Sequence, residues 1–251
     1  MAAAISRSMF ELRIEEGVAC LTLRRPGVRN AIPATAWKAL GAVVGEAVSA
    51  RVLIVAGEGA AFCAGADLAD FPPMAADPAA RAAFRSDMRE AFETLAALPI
   101  PTIAAIGGAC YGAGVALAMA CDMRIAAACA RFAITPALYG ISYPQEDLFR
   151  LVALVGPGQA ARLLLSGAGI DGAEASRIGL VEHLADDVVA EAEAWAQAIC
   201  AGSSASHRVL KRGILRAAEG AASDDEQDGS FESLLGSGEL ATRLAKRKAA
   251  G

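Results

Sequence analysis

The chain has 251 residues, of which 55% are hydrophobic and 20% are charged, and 23 Lys and Arg against 28 Asp and Glu give a formal charge of −5. This composition is typical of a globular protein and excludes a disordered chain. We expect no nucleic-acid partner, because phosphate binding requires clustered basic side chains. The one dense basic run, at 243–248, is more typical of a solvated helix end.

Cysteine and histidine usage limits the metal and redox chemistry that the chain can support. The six cysteines form no CxxC pair, and the sequence contains two histidines. A zinc cluster, a redox dithiol and a disulfide framework are therefore disfavoured. We expect reduced thiols in a cytoplasmic protein without a metal site.

Two segments bear on membrane association. Residues 1–10 lack the basic and apolar regions of a signal peptide. Residues 100–121 run for 22 positions without a charged side chain, which is long enough to cross a bilayer. Because Pro101 and four glycines interrupt this run, we expect a strand, a glycine turn and a buried helix there, and no membrane partner.

The predicted elements alternate between short apolar strands and helices. In chain order they are a hairpin at 10–23, a helix at 37–48, a strand at 52–55, a helix at 81–98, a strand at 102–106, a helix at 115–121 and strands at 123–127 and 130–134. The remainder is helical in pattern, and its Gly-, Ser- and acid-rich stretch at 219–239 predicts a flexible hinge. This order predicts an α/β fold with a helical extension at its C-terminus.

Two glycine-rich junctions between a strand and a helix, at 61–68 and 108–114, are the candidate sites of chemistry. The sequence signatures of P-loops, dinucleotide-binding turns and serine nucleophile elbows do not occur. Small residues at such junctions leave backbone N–H groups uncovered, and two of these donors can stabilise one oxyanion. The alternative, that the glycines only allow tight turns and close helix packing, is equally compatible with the sequence.

FCAGADL at 62–68 and GGACYGAGVALAMACDMRIAA at 107–127 resemble the paired signature of the enoyl-CoA hydratase/isomerase (crotonase) superfamily. Further similar segments, at 132–144, 163–167 and 174–184, extend the likeness over residues 10–215. The resemblance implies a crotonase-like spiral of ββα repeats, with an acyl-CoA-binding core at 1–200 and a helical extension at 201–251 that forms homotrimers or dimers of trimers. It also implies an enzyme whose substrate is a coenzyme A thioester and which needs no further cofactor.

The resemblance assigns residues that bind the substrate. Family members stabilise a thioester enolate with two backbone N–H groups, which correspond here to Ala66 and Ala113. Asp67 is expected to fix the oxyanion loop as an N-cap, and Arg24 or Arg25 to meet CoA phosphates. The positions assigned to CoA contact are Arg25, Val28, Asn30, Ala31, Ala64, Gly65, Ala66, Asp67, Leu68, Tyr111 and Gly112.

The acid/base positions depart from the family pattern. The two glutamates of hydratases correspond to Ala116 and Pro136, and the carboxylate common in isomerases and dehalogenases corresponds to Pro144. Neither alanine nor proline can transfer a proton. Tyr143 and Glu146 are the candidate catalytic substitutes, although Glu146 and its neighbour Asp147 are also acids of the kind that stabilise the start of a helix.

Three functions therefore remain open. The first is an enzyme of this family, a lyase or isomerase, that stabilises a CoA-thioester enolate in a hole of two N–H groups. The second is a decarboxylase or hydrolase of the same fold that uses Tyr143 and Glu146. The third is a non-catalytic binder of CoA thioesters.

Overall fold

A computed structural model describes residues 9–249, which divide between Cys200 and Ala201 into two compact units. The strands are β1 Phe10–Glu15, β2 Val18–Leu23, β3 Val52–Gly57, β4 Ala61–Cys63, β5 Thr102–Ile106, β6 Ala109–Tyr111, β7 Met123–Ala126, β8 Arg131–Ala133, β9 Ile170–Asp171 and β10 His183–Leu184. The α-helices are α1 Trp37–Glu46, α2 Phe71–Ala75, α3 Pro78–Ala96, α4 Ala113–Met119, α5 Gln145–Ser166, α6 Gly172–Arg177, α7 Val188–Ala201, α8 Ser204–Ala218, α9 Asp225–Leu235 and α10 Gly238–Ala249.

Four ββα repeats build the first unit. The strand pairs β1–β2, β3–β4, β5–β6 and β7–β8 are each followed by at least one helix before the next strand. In the last three pairs, the first strand joins a six-stranded sheet of order β1-β2-β3-β5-β7-β10. The second strand of each joins a four-stranded sheet of order β4-β6-β8-β9. This alternation between two sheets confirms the predicted spiral of ββα repeats.

The parallel pairing of β4 with β6 positions the two glycine junctions. Ala61 lies opposite Ala109, and Cys63 lies opposite Cys110. Parallel strands end at the same edge of a sheet. The loops that follow Cys63 and Tyr111 therefore leave this sheet side by side.

Large apolar side chains fix the helices of the first unit onto the strands. Trp37, Phe62 and Phe92 are fully buried. Trp37 of α1 meets Phe92 of α3 edge to face, with 5.4 Å between the ring centroids, which is a favoured aromatic geometry. Residues 52–55 of β3 are all buried, as expected for a strand that is covered on both faces.

The structure contains the predicted order of elements with small shifts at their ends. Residues 100–121 form β5, β6 and α4, which confirms the expected strand and buried helix, whereas the expected glycine turn contains the short strand β6. The helix begins at Ala113 and not at 115, because Gly112 has a φ of +49° and ends the strand before it. The sequence does not predict the short strands β4, β6, β9 and β10, since two or three residues carry no clear alternating pattern.

One helix of the described residues, α5, is long and apolar enough to cross a membrane by length and composition alone. Gly156 interrupts it with a φ of 73° and a ψ of 163°, and Pro157 follows, so α5 consists of two shorter helices. Leu151 and Leu163 are buried within the protein.

The second unit contains the helices α8, α9 and α10 within the described residues. The predicted flexible hinge at 219–239 is wrong, because α9 occupies most of it. Asp224 caps this helix by accepting the Gln227 N–H at 2.8 Å, and it also accepts a bond from the Arg212 guanidinium at 2.9 Å. The acids that suggested a hinge instead stabilise the start of a helix.

Candidate active site

The two glycine junctions lie directly against each other. A Cβ atom added to Gly65 would approach the Tyr111 carbonyl oxygen to 2.5 Å and the Ala113 nitrogen to 2.9 Å. A Cβ atom added to Gly114 would collide with the Cys63 carbonyl. Gly65 also has a φ of +89°, which other residues rarely adopt. Glycine at these two positions therefore allows the loop after β4 to contact the start of α4.

The Ala66 N–H group is directed away from the protein's own acceptors. The Ile32 N–H donates to the Gly65 carbonyl at 2.8 Å, and the Asp67 N–H donates to the Ile32 carbonyl at 2.9 Å. The Gly65 carbonyl and the Ala66 N–H belong to one trans peptide, in which the two groups point in opposite directions. The Ala66 N–H therefore points away from Ile32.

The Ala113 N–H is the second predicted donor. Ala113 is the first residue of α4, so its N–H has no acceptor within the helix. Among residues 9–249, no protein acceptor is bonded to the N–H of Ala113 or of Ala66. Both residues are partly exposed, so a ligand can reach them. The fold thus brings the two predicted oxyanion donors together.

An ion pair holds the loop that carries Ala66. The Arg25 guanidinium donates to the Asp67 carboxylate at 2.6 Å and to the Ala31 carbonyl at 3.0 Å. Asp67 also accepts the Ala69 N–H at 3.1 Å, which is the N-cap predicted for it. The bonds from Arg25 and from the Ala69 N–H lower the pKa of the Asp67 carboxyl, so it is ionised at neutral pH. The contact of Arg25 with CoA phosphates stays a prediction.

Asn30 connects the same loop to β4 through hydrogen bonds. Its side chain is 1% exposed, and its amide donates to the carbonyls of Ala61 and Phe62 at 2.8 and 3.2 Å. Its amide oxygen accepts the Arg25 N–H at 2.8 Å. The Asn30 N–H also donates to the Arg25 carbonyl at 2.9 Å, so this buried residue fixes the loop, and its contact with CoA stays a prediction.

The other residues assigned to CoA contact line the surface around this loop. Val28 and Leu68 are 44% and 47% exposed. The partly exposed members of the set are Ala64, Tyr111 and Gly112, whereas Ala31 is buried. A separate cavity of about 610 Å³ in the first unit is lined by residues of β1, β2, β3 and α7 and by none of the predicted site residues.

The hydroxyl group of Tyr143 is hydrogen-bonded to the turn at Gly112, which precedes α4. The hydroxyl donates to the Gly112 carbonyl at 2.9 Å. Burial, together with the negative charge of Asp147, raises the pKa of the Tyr143 hydroxyl well above its usual range. Tyr143 is therefore a neutral donor whose proton is directed to the backbone of Gly112 and not to solvent.

The three positions where the resemblance places carboxylates contain none. Ala116 is fully buried in α4, and Pro136 is buried in a short 3-10 turn. Pro144 is the residue before α5. The nearest acid predicted as a substitute, Glu146, has a half-exposed side chain and lies 3.4 Å from the Arg89 guanidinium. Its own backbone N–H and Arg89 lower the pKa of the Glu146 carboxyl, so it is ionised at neutral pH.

The buried acid of this segment is Asp147, which the sequence marked as a helix-end charge. Its side chain is 0% exposed and accepts a bond from the Arg89 guanidinium at 2.8 Å, while one carboxylate oxygen has no protein partner. Burial raises the pKa of the Asp147 carboxyl, and Arg89 opposes that rise. Sequence reasoning missed Arg89, because it lies 58 positions away and nothing local signals the pair.

Cys63, beside the oxyanion loop, is held as a thiol. Its S–H donates to the Asn30 carbonyl at 3.3 Å, and its sulfur accepts the Gly65 N–H at 3.3 Å. Complete burial raises the pKa of the Cys63 thiol to about 12. A thiol in this state is inert, so Cys63 is a structural residue and not a nucleophile.

Comparisons with known proteins agree with this geometry. Residues 13–231 match the model of the enoyl-CoA hydratase/isomerase family. The chain is 34% identical over 194 residues to "Probable enoyl-CoA hydratase echA6" of Mycobacterium leprae, covering 75% of each protein.

Solved structures show the same relationship. An enoyl-CoA hydratase/carnithine racemase from Magnetospirillum magneticum superposes with a TM-score of 0.89 at 30% identity, covering 96% of this chain and 93% of the other. The enoyl-CoA hydratase of Bacillus anthracis superposes with a TM-score of 0.87 at 28% identity, covering 96% of both chains. This chain therefore belongs to the enoyl-CoA hydratase/isomerase (crotonase) family of enzymes, which act on acyl-CoA thioesters.

Proposed function

We propose that this enzyme stabilises the enolate of an acyl-CoA thioester with the N–H groups of Ala66 and Ala113. The observation that carries the proposal is the close approach of Gly65 to the Ala113 nitrogen, which sets two unpaired donors beside each other. Donors aimed at one carbonyl oxygen bind more strongly as that oxygen gains negative charge. They therefore lower the barrier to enolate formation and not merely the free energy of the bound substrate.

The loop that carries Ala66 also supplies the proposed contacts to CoA. Within 28–31 and 64–68, Val28 and Leu68 are exposed and Ala64 and Ala66 are partly exposed. The bond from Arg25 to Asp67 connects the two segments. The side chain of Arg25 is 35% exposed, so its guanidinium can meet a phosphate beside these segments. The thioester carbonyl would then lie between the two donors.

A second candidate, decarboxylation, is favoured by the three positions without a carboxylate. Loss of carbon dioxide from a malonyl-type thioester breaks a carbon–carbon bond and leaves its electron pair in the enolate. No base has to remove a proton, and the α-carbon is then protonated. Since the hydroxyl of Tyr143 is bonded to Gly112 and Glu146 lies beside Arg89, we propose that this proton comes from solvent.

The proposal is tested by removing one donor without changing the helix. Proline fits the first position of a helix and lacks an N–H, so A113P deletes the donor, while A113G keeps it as a matched control. With crotonyl-CoA and methylmalonyl-CoA as substrates, hydration is followed by loss of the conjugated thioester absorbance and decarboxylation by mass. We expect A113P to lower kcat on the order of 100-fold or more.

The outcomes separate the three functions. A folded A113P protein with wild-type turnover would overturn the oxyanion hole. Hydration of crotonyl-CoA without decarboxylation supports the hydratase function, and the reverse supports the decarboxylase. Saturable binding without turnover across a broad panel of thioesters would favour a non-catalytic binder.

A further inference from the structure

We propose that Tyr143 is a positioning residue of the oxyanion hole, which acts through the peptide group between Gly112 and Ala113. Its hydroxyl donates to the carbonyl of this peptide, and the N–H of the same peptide is the proposed donor to the substrate. The inference rests on the proposed function and deepens it. It differs from a direct role of Tyr143 in proton transfer, because the tyrosine need not touch the substrate.

The geometry of the turn explains why such a contact is needed. Gly112 has a φ of +49° and a ψ of −116°, and nothing lies within 4 Å of where its Cβ would be. Without a side chain, a glycine peptide can rotate at low cost. Rotation would turn the Ala113 N–H away from the hole.

Hydrogen bonds replace packing in fixing this peptide. The Gly112 N–H donates to the Ala133 carbonyl at 2.9 Å, which fixes the peptide before the turn. The Gly112 carbonyl accepts the N–H groups of Val115 and Ala116 at 3.0 and 3.3 Å and the Tyr143 hydroxyl at 2.9 Å. Tyr143 therefore supplies the shortest of the three bonds on the carbonyl whose peptide carries the oxyanion donor.

The same bond strengthens the donor as well as orienting it. A hydrogen bond accepted by a peptide carbonyl polarises the peptide, so that its N–H becomes a better donor. Burial and Asp147 keep the tyrosine protonated, and therefore able to donate. The ring packs against the core, and Pro144 restricts the backbone of the residue before it. The packing of the ring and the restricted backbone of Tyr143 therefore both fix the position of the hydroxyl.

The test compares Y143F with Y139F, because Tyr139 is 57% exposed and serves as a matched control. Three measurements are made on folded protein: the amide nitrogen and proton shifts of Ala113 without ligand, the carbonyl stretching frequency of bound butyryl-CoA, and kcat and KM. In Y143F we expect a lower kcat by about 3- to 10-fold, the ordinary worth of one neutral hydrogen bond, with KM nearly unchanged. The carbonyl frequency should move towards its value in water, and the Ala113 amide should shift upfield.

Three results would overturn the inference in different ways. If butyryl-CoA binds to Y143F with an unchanged carbonyl frequency and an unchanged Ala113 amide shift, the tyrosine has no role in the hole, while the proposed function stands. If the wild-type protein shows no change in the thioester carbonyl on binding, the hole itself is absent and the proposed function fails. Equal effects of Y143F and Y139F on kcat would also exclude a specific role for Tyr143.

Discussion

The oxyanion turn and the acid/base segment lie close together but are built from different parts of the chain. The turn at 65–66 and 112–114 presents backbone N–H groups, which any residue except proline supplies. The segment at 143–147 and the positions 116 and 136 would act through side chains, and alanine and proline stand where the resemblance places carboxylates. Backbone donors of this kind tolerate a change of side chain, whereas proton transfer does not.

Substitution of Gly65 with alanine should displace the two backbone donors and have the largest expected effect on turnover. The new Cβ would lie 2.5 Å from the Tyr111 carbonyl oxygen and 2.9 Å from the Ala113 nitrogen, at a φ of +89°. We expect turnover to fall on the order of 100-fold or more, as the two donors are pushed apart. The free energy of unfolding should fall by about 2 kcal/mol, measured by urea denaturation.

G158A is the matched control for this change. Gly158 lies in α5, and nothing is within 4 Å of its added Cβ. Its stability should stay within about 1 kcal/mol of the wild-type value, since alanine is the better helix former. Wild-type turnover by a folded G65A protein would contradict the close contact of the two loops.

The close contact of the two glycine junctions and the Asp67 cap follow from local constraints, whereas the role of Ala66 and Ala113 as donors stays a prediction. Gly65 and Gly114 occupy positions where a side chain would strike another backbone, so the constraint acts on residue type and is visible in the sequence. The predicted cap by Asp67 also depends on a neighbour two residues away, Ala69. A constraint on residue type, or between residues close in the chain, can be recognised in the sequence.

The acid/base half could not be predicted in the same way. Glu146 and Asp147 are adjacent acids at the start of one helix, and no pattern distinguishes them. The structure leaves the Glu146 side chain 50% exposed and buries Asp147 against Arg89, a partner from another helix. The hydroxyl of Tyr143 was similarly recognised as a candidate, but its acceptor, Gly112, is 31 positions away.

D147N and E146Q test whether these two neighbouring acids differ as the structure requires. Asp147 is the buried partner of Arg89, so D147N removes the bond at 2.8 Å, while Glu93 and Glu146 remain 3.4 Å from the guanidinium. Because burial raises the pKa of the Asp147 carboxyl, removing its charge offsets part of this loss, and we expect the free energy of unfolding to fall by about 1.5 kcal/mol. E146Q should change stability by less than about 0.5 kcal/mol, because its ion pair is exposed. Urea denaturation of both variants gives this comparison.

The turnover of E146Q then decides its proposed catalytic role. A general acid or base contributes about 100-fold or more, and its glutamine variant loses that contribution. We expect kcat within about twofold of wild type, because Glu146 is paired with Arg89 and half exposed. A 100-fold loss in a stable E146Q protein would instead assign Glu146 to proton transfer.

A modest effect is expected from the ion pair that holds the loop with Ala66, and its pH dependence has a definite sign. The bond from Arg25 lowers the pKa of the Asp67 carboxyl, so the folded protein favours the ionised form. The resulting stability is present above the unfolded-state pKa of about 4 and is lost as the pH falls through the lower, folded-state value. D67N should therefore be less stable than wild type by about 1 kcal/mol at neutral pH, and this difference should vanish in strong acid.

Urea denaturation of wild type and D67N from pH 7 down to pH 3 measures this difference, and E90Q, at an exposed position of α3, serves as the control. The control should show a small difference that does not change with pH. A constant deficit for D67N would mean that the lost stability does not come from the charge of Asp67; asparagine also retains an oxygen that can accept the Ala69 N–H. Loss of turnover at neutral pH in D67N without loss of stability would mean that Arg25 and Asp67 align the Ala66 donor directly. The position of the Ala66 N–H would then depend on the side chain of Asp67.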